Sequence, residues 1–332
     1  MLQGQELVIA AIGIALAIYF TVSSRFFATA NNGASLSQYI APIAIFALAE
    51  VFVLILGEID LSVGEVYVFT PFIVYYMNDE GLGVIAGIFI SLIISCLIGL
   101  INGFITVKLR VPSFITTLGT VFALEGIVLI SSNGTQLTPA GGGLTASILG
   151  GWTWSEIIWA LGIAAVLHAV LRRTTFGLHV VASGGNDLAA RESGIPVDSV
   201  KIWCFVVCSF LGGLMGLLDG YHINALDPST DGLTFMFYGV AAAVIGGTAL
   251  TGGRGTMIGA LIGAIVLGIL EDGFHILGIS AFKYTLVLGL AILAAMILNV
   301  QMERVRGHRG GGSLGRLLLR LPGLRRKEVA RS

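Results

Sequence analysis

Apolar runs of membrane length recur along almost the whole chain. A helix needs about 20 mainly apolar residues to cross the hydrocarbon of a bilayer. Such runs fall at 7–22, 39–56, 65–78, 83–107, 112–131, 155–171, 201–221, 235–250, 256–277 and 281–300. Only 11% of the residues are charged, against about 25% in a soluble domain. Lipid offers no partner to a free backbone N–H or C=O, so runs of this length must close their hydrogen bonds as helices. The pattern predicts an all-α integral membrane protein with about ten transmembrane helices. The runs 65–78 and 235–250 are short, and short or broken segments are expected near 57–64 and 246–255.

Residues 1–300 form the expected transmembrane domain. Residues 301–332 form a basic tail that holds nine of the 18 Lys and Arg residues, from Arg304 to Arg331. Basic residues near span ends stay in the cytoplasm. With the N-terminus inside, the cytoplasmic loops hold Lys108, Arg110, Arg172, Arg173, Arg191, Lys201 and Arg254, and the outer loops hold Arg25 and Lys283. The reverse orientation would invert that bias, so both termini are expected in the cytoplasm. The tail reads as disordered or lipid-associated, an electrostatic anchor rather than a nucleic-acid arm. Residues 7–22 lack a basic n-region and a cleavage site, so they read as a first span and not a signal peptide. Cys96, Cys204 and Cys208 lie in apolar runs and read as packing residues, not a disulfide framework.

One polar stretch, Ser183 to Pro196, stands between long apolar segments. Asn186 is a good N-cap, and Asp187 suits the positive end of a helix dipole. Gly194 can close the helix in a left-handed conformation, and Pro196 prevents its continuation. Two isolated turns are not stable in water alone, so this helix needs something to lie against. It is either a capped connector at the membrane surface or a docking helix for a cytoplasmic protein.

Glycines recur every four residues at Gly212, Gly216 and Gly220, at Gly255, Gly259 and Gly263, and at Gly99 and Gly103. On a helix they form smooth ridges that admit a neighbouring backbone, within one subunit or between two. The loops Gly57-Glu-Ile-Asp-Leu-Ser-Val-Gly64 and Gly246-Gly-Thr-Ala-Leu-Thr-Gly-Gly253 share a Gly-x-x-x-Leu-Ser/Thr-x-Gly frame, a hint of internal duplication. There is no phosphate-cradling loop, no His-Glu-x-x-His and no His/Cys set with metal spacing. No catalytic residue and no metal site is expected. What remains is a set of ionisable residues inside apolar runs. Glu50 and Glu125 interrupt two spans, and Glu271, Asp272 and His275 cluster in another. Such groups are costly in lipid and face the protein interior or water. They can line a solute path, relay protons, or lock helices together.

Four blocks carry a resemblance. They are Gly57-Glu-Ile-Asp-Leu-Ser-Val-Gly64; Asn102-Gly-Phe with Lys108-Leu-Arg-Val-Pro-Ser-Phe-Ile-Thr-Thr-Leu-Gly119; Gly184-Gly-Asn with Ala189-Ala-Arg-Glu-Ser-Gly-Ile-Pro-Val-Asp198; and Val244-Ile-Gly-Gly-Thr-Ala-Leu-Thr-Gly-Gly-Arg-Gly255. In this order they resemble the permease subunit of bacterial ATP-binding-cassette importers for ribose and other simple sugars. The resemblance runs from about residue 40 to 300. It implies a transport subunit of the bacterial cytoplasmic membrane that catalyses no covalent step and binds no cofactor. It implies a second permease subunit, identical or paralogous. It also implies a periplasmic or lipid-anchored solute-binding protein, and a cytoplasmic ATPase that carries ATP and magnesium. The loop matching 184–195 would meet that ATPase, through Gly184, Gly185, Asn186, Asp187, Leu188, Ala189, Arg191, Glu192 and Gly194. The solute path would draw on Glu50, Asp60, Asn102, Glu125, Tyr238, Glu271, Asp272 and His275. Three departures stand out. Glu58 replaces a usual Gly, Met236 and Tyr238 replace a usual Glu-x-Asp, and Glu271-Asp-Gly-Phe-His275 replaces Asn-Asn-Gly-Leu-Asn. All three are expected in path-lining segments. The other reading of the intramembrane acids is a proton-driven secondary transporter using Glu50, Glu125 and the Glu271/His275 pair.

Overall fold

The computed structural model describes residues 4–280, 282–290, 293 and 297. The helices are α1 (Gly4–Ser23), α2 (Ala30–Ile55), α3 (Val63–Asp79), α4 (Val84–Lys108), α5 (Ser113–Ser132), the single turn α6 (Leu144–Ala146), α7 (Ser155–Arg173), α8 (Thr175–Gly185), α9 (Asp187–Glu192), α10 (Val197–Ile223), α11 (Gly232–Ile245) and α12 (Met257–Ile276). A π-helical turn, Ser147–Gly151, follows α6. Among the described residues the only β-pairing is an isolated antiparallel bridge between Leu137 and Leu226.

Seven helices are long and apolar enough to cross a membrane: α1, α2, α4, α5, α7, α10 and α12. The expectation of about ten is met only to that extent. Helix α3 has 17 residues and α11 has 14. The run at 281–300 is helical over 282–290 and is otherwise mostly outside the described residues. The basic tail, 301–332, lies outside them entirely.

Both short helices adjoin a break, and the two breaks begin with the same backbone geometry. At the end of α2 the Glu58 N–H donates to Val53 O and the Gly57 N–H to Leu54 O. At the end of α11 the Thr248 N–H donates to Ala243 O and the Gly247 N–H to Val244 O. This nested pair satisfies the last helical carbonyls and needs a left-handed residue, supplied by Gly57 (φ 74) and Gly247 (φ 96). The structure therefore matches Gly57 to Gly247. The frame read from the sequence, which pairs Gly57 with Gly246, is one residue out, because the glycine at 246 is still the helical cap residue.

Helix α2 is the central element. Every residue from Ile40 to Ile55 is buried, with α7, α10, α11 and α12 packed around it. Helix α4 shows the opposite pattern. Its buried residues are Gly87, Ser91, Ser95, Gly99, Asn102, Gly103 and Thr106. Its Ile85, Phe89, Ile93, Leu97 and Phe104 are exposed. Lipid is as apolar as leucine, so large side chains gain nothing by turning inward, and small ones let backbones approach. A Cβ at Gly99 would lie 2.4 Å from Phe205 O, and one at Gly216 would lie 2.0 Å from Tyr67 O. At Gly259 and Gly263 it would meet Gly246 O and Ala242 O at 2.1 and 2.0 Å. The glycine ridges pack within this subunit.

Candidate functional site

The polar stretch after α8 folds as its residues predict. Asn186 takes an extended conformation and its side chain accepts the Ala189 N–H at 3.1 Å, capping α9. Asp187, in the first turn, pairs with Arg191 one turn on, at 2.6 Å. Gly194 (φ 82) closes the helix, with Gly194 N–H on Arg191 O and Ile195 N–H on Ala190 O. Only Ala190 is buried, while Leu188, Ala189, Arg191 and Glu192 are exposed. Gly184 and Gly185 belong to the end of α8, Gly184 half-buried and Gly185 exposed.

Gly184 is where this helix is rooted. An added Cβ would fall 1.7 Å from Ile55 O and 2.9 Å from Gly253 N. The Gly253 N–H donates to Ile55 O at 2.7 Å. The two broken loops, 57–64 and 246–255, thus converge on the glycine at the base of α9. Chain distance hides that junction from the sequence.

Beside α9 lies a cleft of about 490 Å³, lined among others by Glu58, Arg110, Pro112, Arg191, Asp198 and Lys201. Lys108 and Arg191 both pair with Asp198 at 2.7 Å, and Lys201 pairs with Glu58 at 2.8 Å. Hydrogen bonds to Asp187 and then Asp198 hold the Arg191 guanidinium above its ordinary pKa. Glu58 was expected in a path-lining segment. It lies instead in this ion-pair network, because the left-handed turn at Gly57 carries it to the Lys201 side.

Three of the proposed path residues lie in a buried polar interior. Thr120 Oγ donates to Asn102 Oδ1 at 2.6 Å, Asn102 Nδ2 donates to Ser62 Oγ at 2.8 Å, and Ser62 Oγ donates to Asp60 Oδ1 at 2.6 Å. The broken loop is stitched to α5 as well. Ile59 N–H reaches Ser113 Oγ at 3.3 Å, and Leu61 N–H reaches Thr117 Oγ at 3.1 Å. Without these hydroxyls the loop's backbone would be unsatisfied at depth. Glu50, fully buried, contacts Cys208 Sγ at 3.7 Å. Glu50 Oε2 and Asp60 Oδ2 have no hydrogen-bond partner among the described residues.

The others separate into three places. Glu125 is exposed on α5, and it and Asp231 are the charged neighbours of Glu65. Glu271 accepts the Tyr284 hydroxyl at 3.3 Å, and the Tyr238 ring is edge-on to Tyr284 at 6.2 Å. Asp272 and His275 turn to α2. Asp272 accepts from Asn32 Nδ2 at 2.7 Å, and the His275 ring stacks on Tyr39 at 5.5 Å. Glu271 and His275 share a helix face by spacing, yet different neighbours take each.

Sequence reasoning missed Lys201, Asp198, Thr117, Ser113 and Tyr284 as members of these groups. The stripe of Ser, Gly, Asn and Thr along α4 and α5 was the available signal for the polar interior. Among the described residues no set of three His, Cys, Asp or Glu residues is arranged to hold a metal ion.

A family described as branched-chain amino acid transport system / permease component matches residues 33–298. The xylose/arabinose import permease of Sulfolobus acidocaldarius is 38% identical over 303 residues, covering 88% of this chain and 83% of that protein. The ribose import permease of Escherichia coli K12 is 32% identical over 295 residues, covering 86% and 90%. That of Bacillus subtilis 168 is 32% identical over 288 residues, covering 86% and 89%. No solved structure matches the chain significantly. With seven apolar spans and a family match over most of its length, the chain belongs to the branched-chain amino acid transport system / permease component family, as a multi-pass membrane transport component rather than an enzyme.

Proposed function

We propose that the chain is the permease subunit of an importer that moves a simple sugar by alternating access, driven by a partner ATPase. A pentose is the favoured cargo, since the relatives above are named for xylose, arabinose and ribose. The observation that carries the coupling reading is the rooting of α9. Its outer face is exposed, with Leu188 at 66%, while its base is wedged between the two helix breaks at Gly184. A push on α9 is thereby delivered to both breaks at once, through backbone contacts that have no room to yield.

In this reading α9 meets the ATPase, which binds ATP and magnesium. Gly184, Gly185, Asn186, Asp187, Leu188, Ala189, Arg191, Glu192 and Gly194 form or support that surface. The short helices α3 and α11 and the run at 281–300 complete about ten crossings, with both termini cytoplasmic. A second permease copy or paralogue and a solute-binding protein complete the assembly. Tyr238 and Glu271 bias the solute path, whereas Asp272 and His275 lock α12 against α2.

The test is Leu188→Asp together with Arg191→Glu. The pair should leave the chain inserted while abolishing substrate-stimulated ATP hydrolysis by the complex. Full stimulation in that variant removes the coupling role from α9. Asn186→Ala should act more mildly, because loss of an N-cap costs about 1 kcal/mol.

A further inference from the structure

We propose that Arg110 receives an acidic side chain of the partner ATPase, which enters the cleft between the α4–α5 turn and α9. The proposal rests on the coupling reading above and adds a second contact to it.

Three observations carry it. The first is backbone conformation. Arg110 has φ 58, in the left-handed region. Among the described residues the other non-glycine residues there are Asn133 and Asn224, and asparagine enters that region with little penalty. Arginine does not, and a glycine would relieve the strain. Strain held at one position is a mark of a residue kept for its side chain.

The second is charge. Four cations surround the cleft and its network: Lys108, Arg110, Arg191 and Lys201. Three carboxylates answer them. Asp198 takes Lys108 and Arg191, Asp187 takes Arg191 and, at 3.7 Å, Lys201, and Glu58 takes Lys201. Arg110 is exposed, lines the cleft, and has no ion pair among the described residues. One positive charge is left over, with a planar fork of donors suited to one carboxylate.

The third is position. Arg191 belongs to α9 and also lines the cleft. A protein seated on α9 therefore stands at the cleft mouth. The space of about 490 Å³ admits a side chain without displacing the ion pairs. A lipid phosphate is the competing occupant. A single surplus charge with three carboxylates nearby is a poor lure for a headgroup drawn from a whole leaflet.

The experiment uses the complex of this chain with its ATPase in nanodiscs, with and without anionic lipid. Arg110→Gly and Arg110→Asn both accept the left-handed backbone, so they should fold at least as well as wild type by thermal unfolding of the chain. Loss of one charge-assisted contact should weaken ATPase retention about ten-fold, read as the salt concentration that strips the subunit. Stimulated hydrolysis should fall in parallel, and Arg110→Glu should be the most severe. If Arg110→Gly and Arg110→Asn are stable and hold the ATPase as wild type does, the inference is overturned. A defect confined to discs with anionic lipid gives the cleft to a headgroup and also overturns it. If the wild-type chain retains no ATPase at all, the coupling reading fails first, and the inference fails with it.

Discussion

Gly184→Ala tests the junction at which α9 is rooted. The added methyl would lie 1.7 Å from Ile55 O and 2.7 Å from Ile55 C. Both are main-chain atoms at the end of the most buried helix, so no rotamer change relieves the clash. Overpacking of this kind typically costs 1–3 kcal/mol. Moving Ile55 O also breaks its 2.7 Å bond from Gly253 N–H, worth about another 1 kcal/mol. Against this, alanine is favoured over glycine within a helix by roughly 0.5–1 kcal/mol. The balance is destabilising by about 1–3.5 kcal/mol. Gly185→Ala is the matched control, because nothing lies within 4 Å of its added Cβ. We expect Gly184→Ala to melt several degrees below wild type in detergent and to lose stimulated ATPase. Gly185→Ala should melt as wild type does. Equal melting of the two variants would refute the junction.

Two further outcomes are expected. Asn102→Leu removes the bridge between Ser62 and Thr120, both of which it holds within 2.8 Å. It should cost about 1–3 kcal/mol in the same melting assay, and an unchanged melting temperature would show that the α3 break does not depend on α4. Glu271→Gln should change sugar uptake by reconstituted complex several-fold while the separate binding protein keeps its affinity for sugar. Wild-type uptake by Glu271→Gln and Tyr238→Phe across several sugars would take this pair off the path.

Much of the architecture is legible in the chain alone. Period, length and polarity place the helices because a membrane admits so few backbone solutions. The caps of α9 were readable too, since Asn186, Asp187 and Gly194 each act on backbone groups within four residues of themselves. Local chemistry of that kind is written in local sequence. The start of α2 was less visible. Its first turns, Ala30 to Gln38, are rich in polar and small residues, so the apolar pattern begins only at Tyr39.

The tertiary structure alone decided which face of each helix turns inward. In water, burial is signalled by apolar side chains, whereas in lipid an apolar side chain is equally at home inside and out. Helix α2 and helix α4 are both apolar runs, yet one is buried all round from Ile40 to Ile55 and the other leaves its large residues exposed. The same limit hid the meeting of Ile55, Gly184 and Gly253, and the pairing of Glu58 with Lys201. The residues of each group are scattered along the chain, and no spacing rule joins them. Close packing of backbones did so, and it acts through contacts that exist only once the helices are assembled.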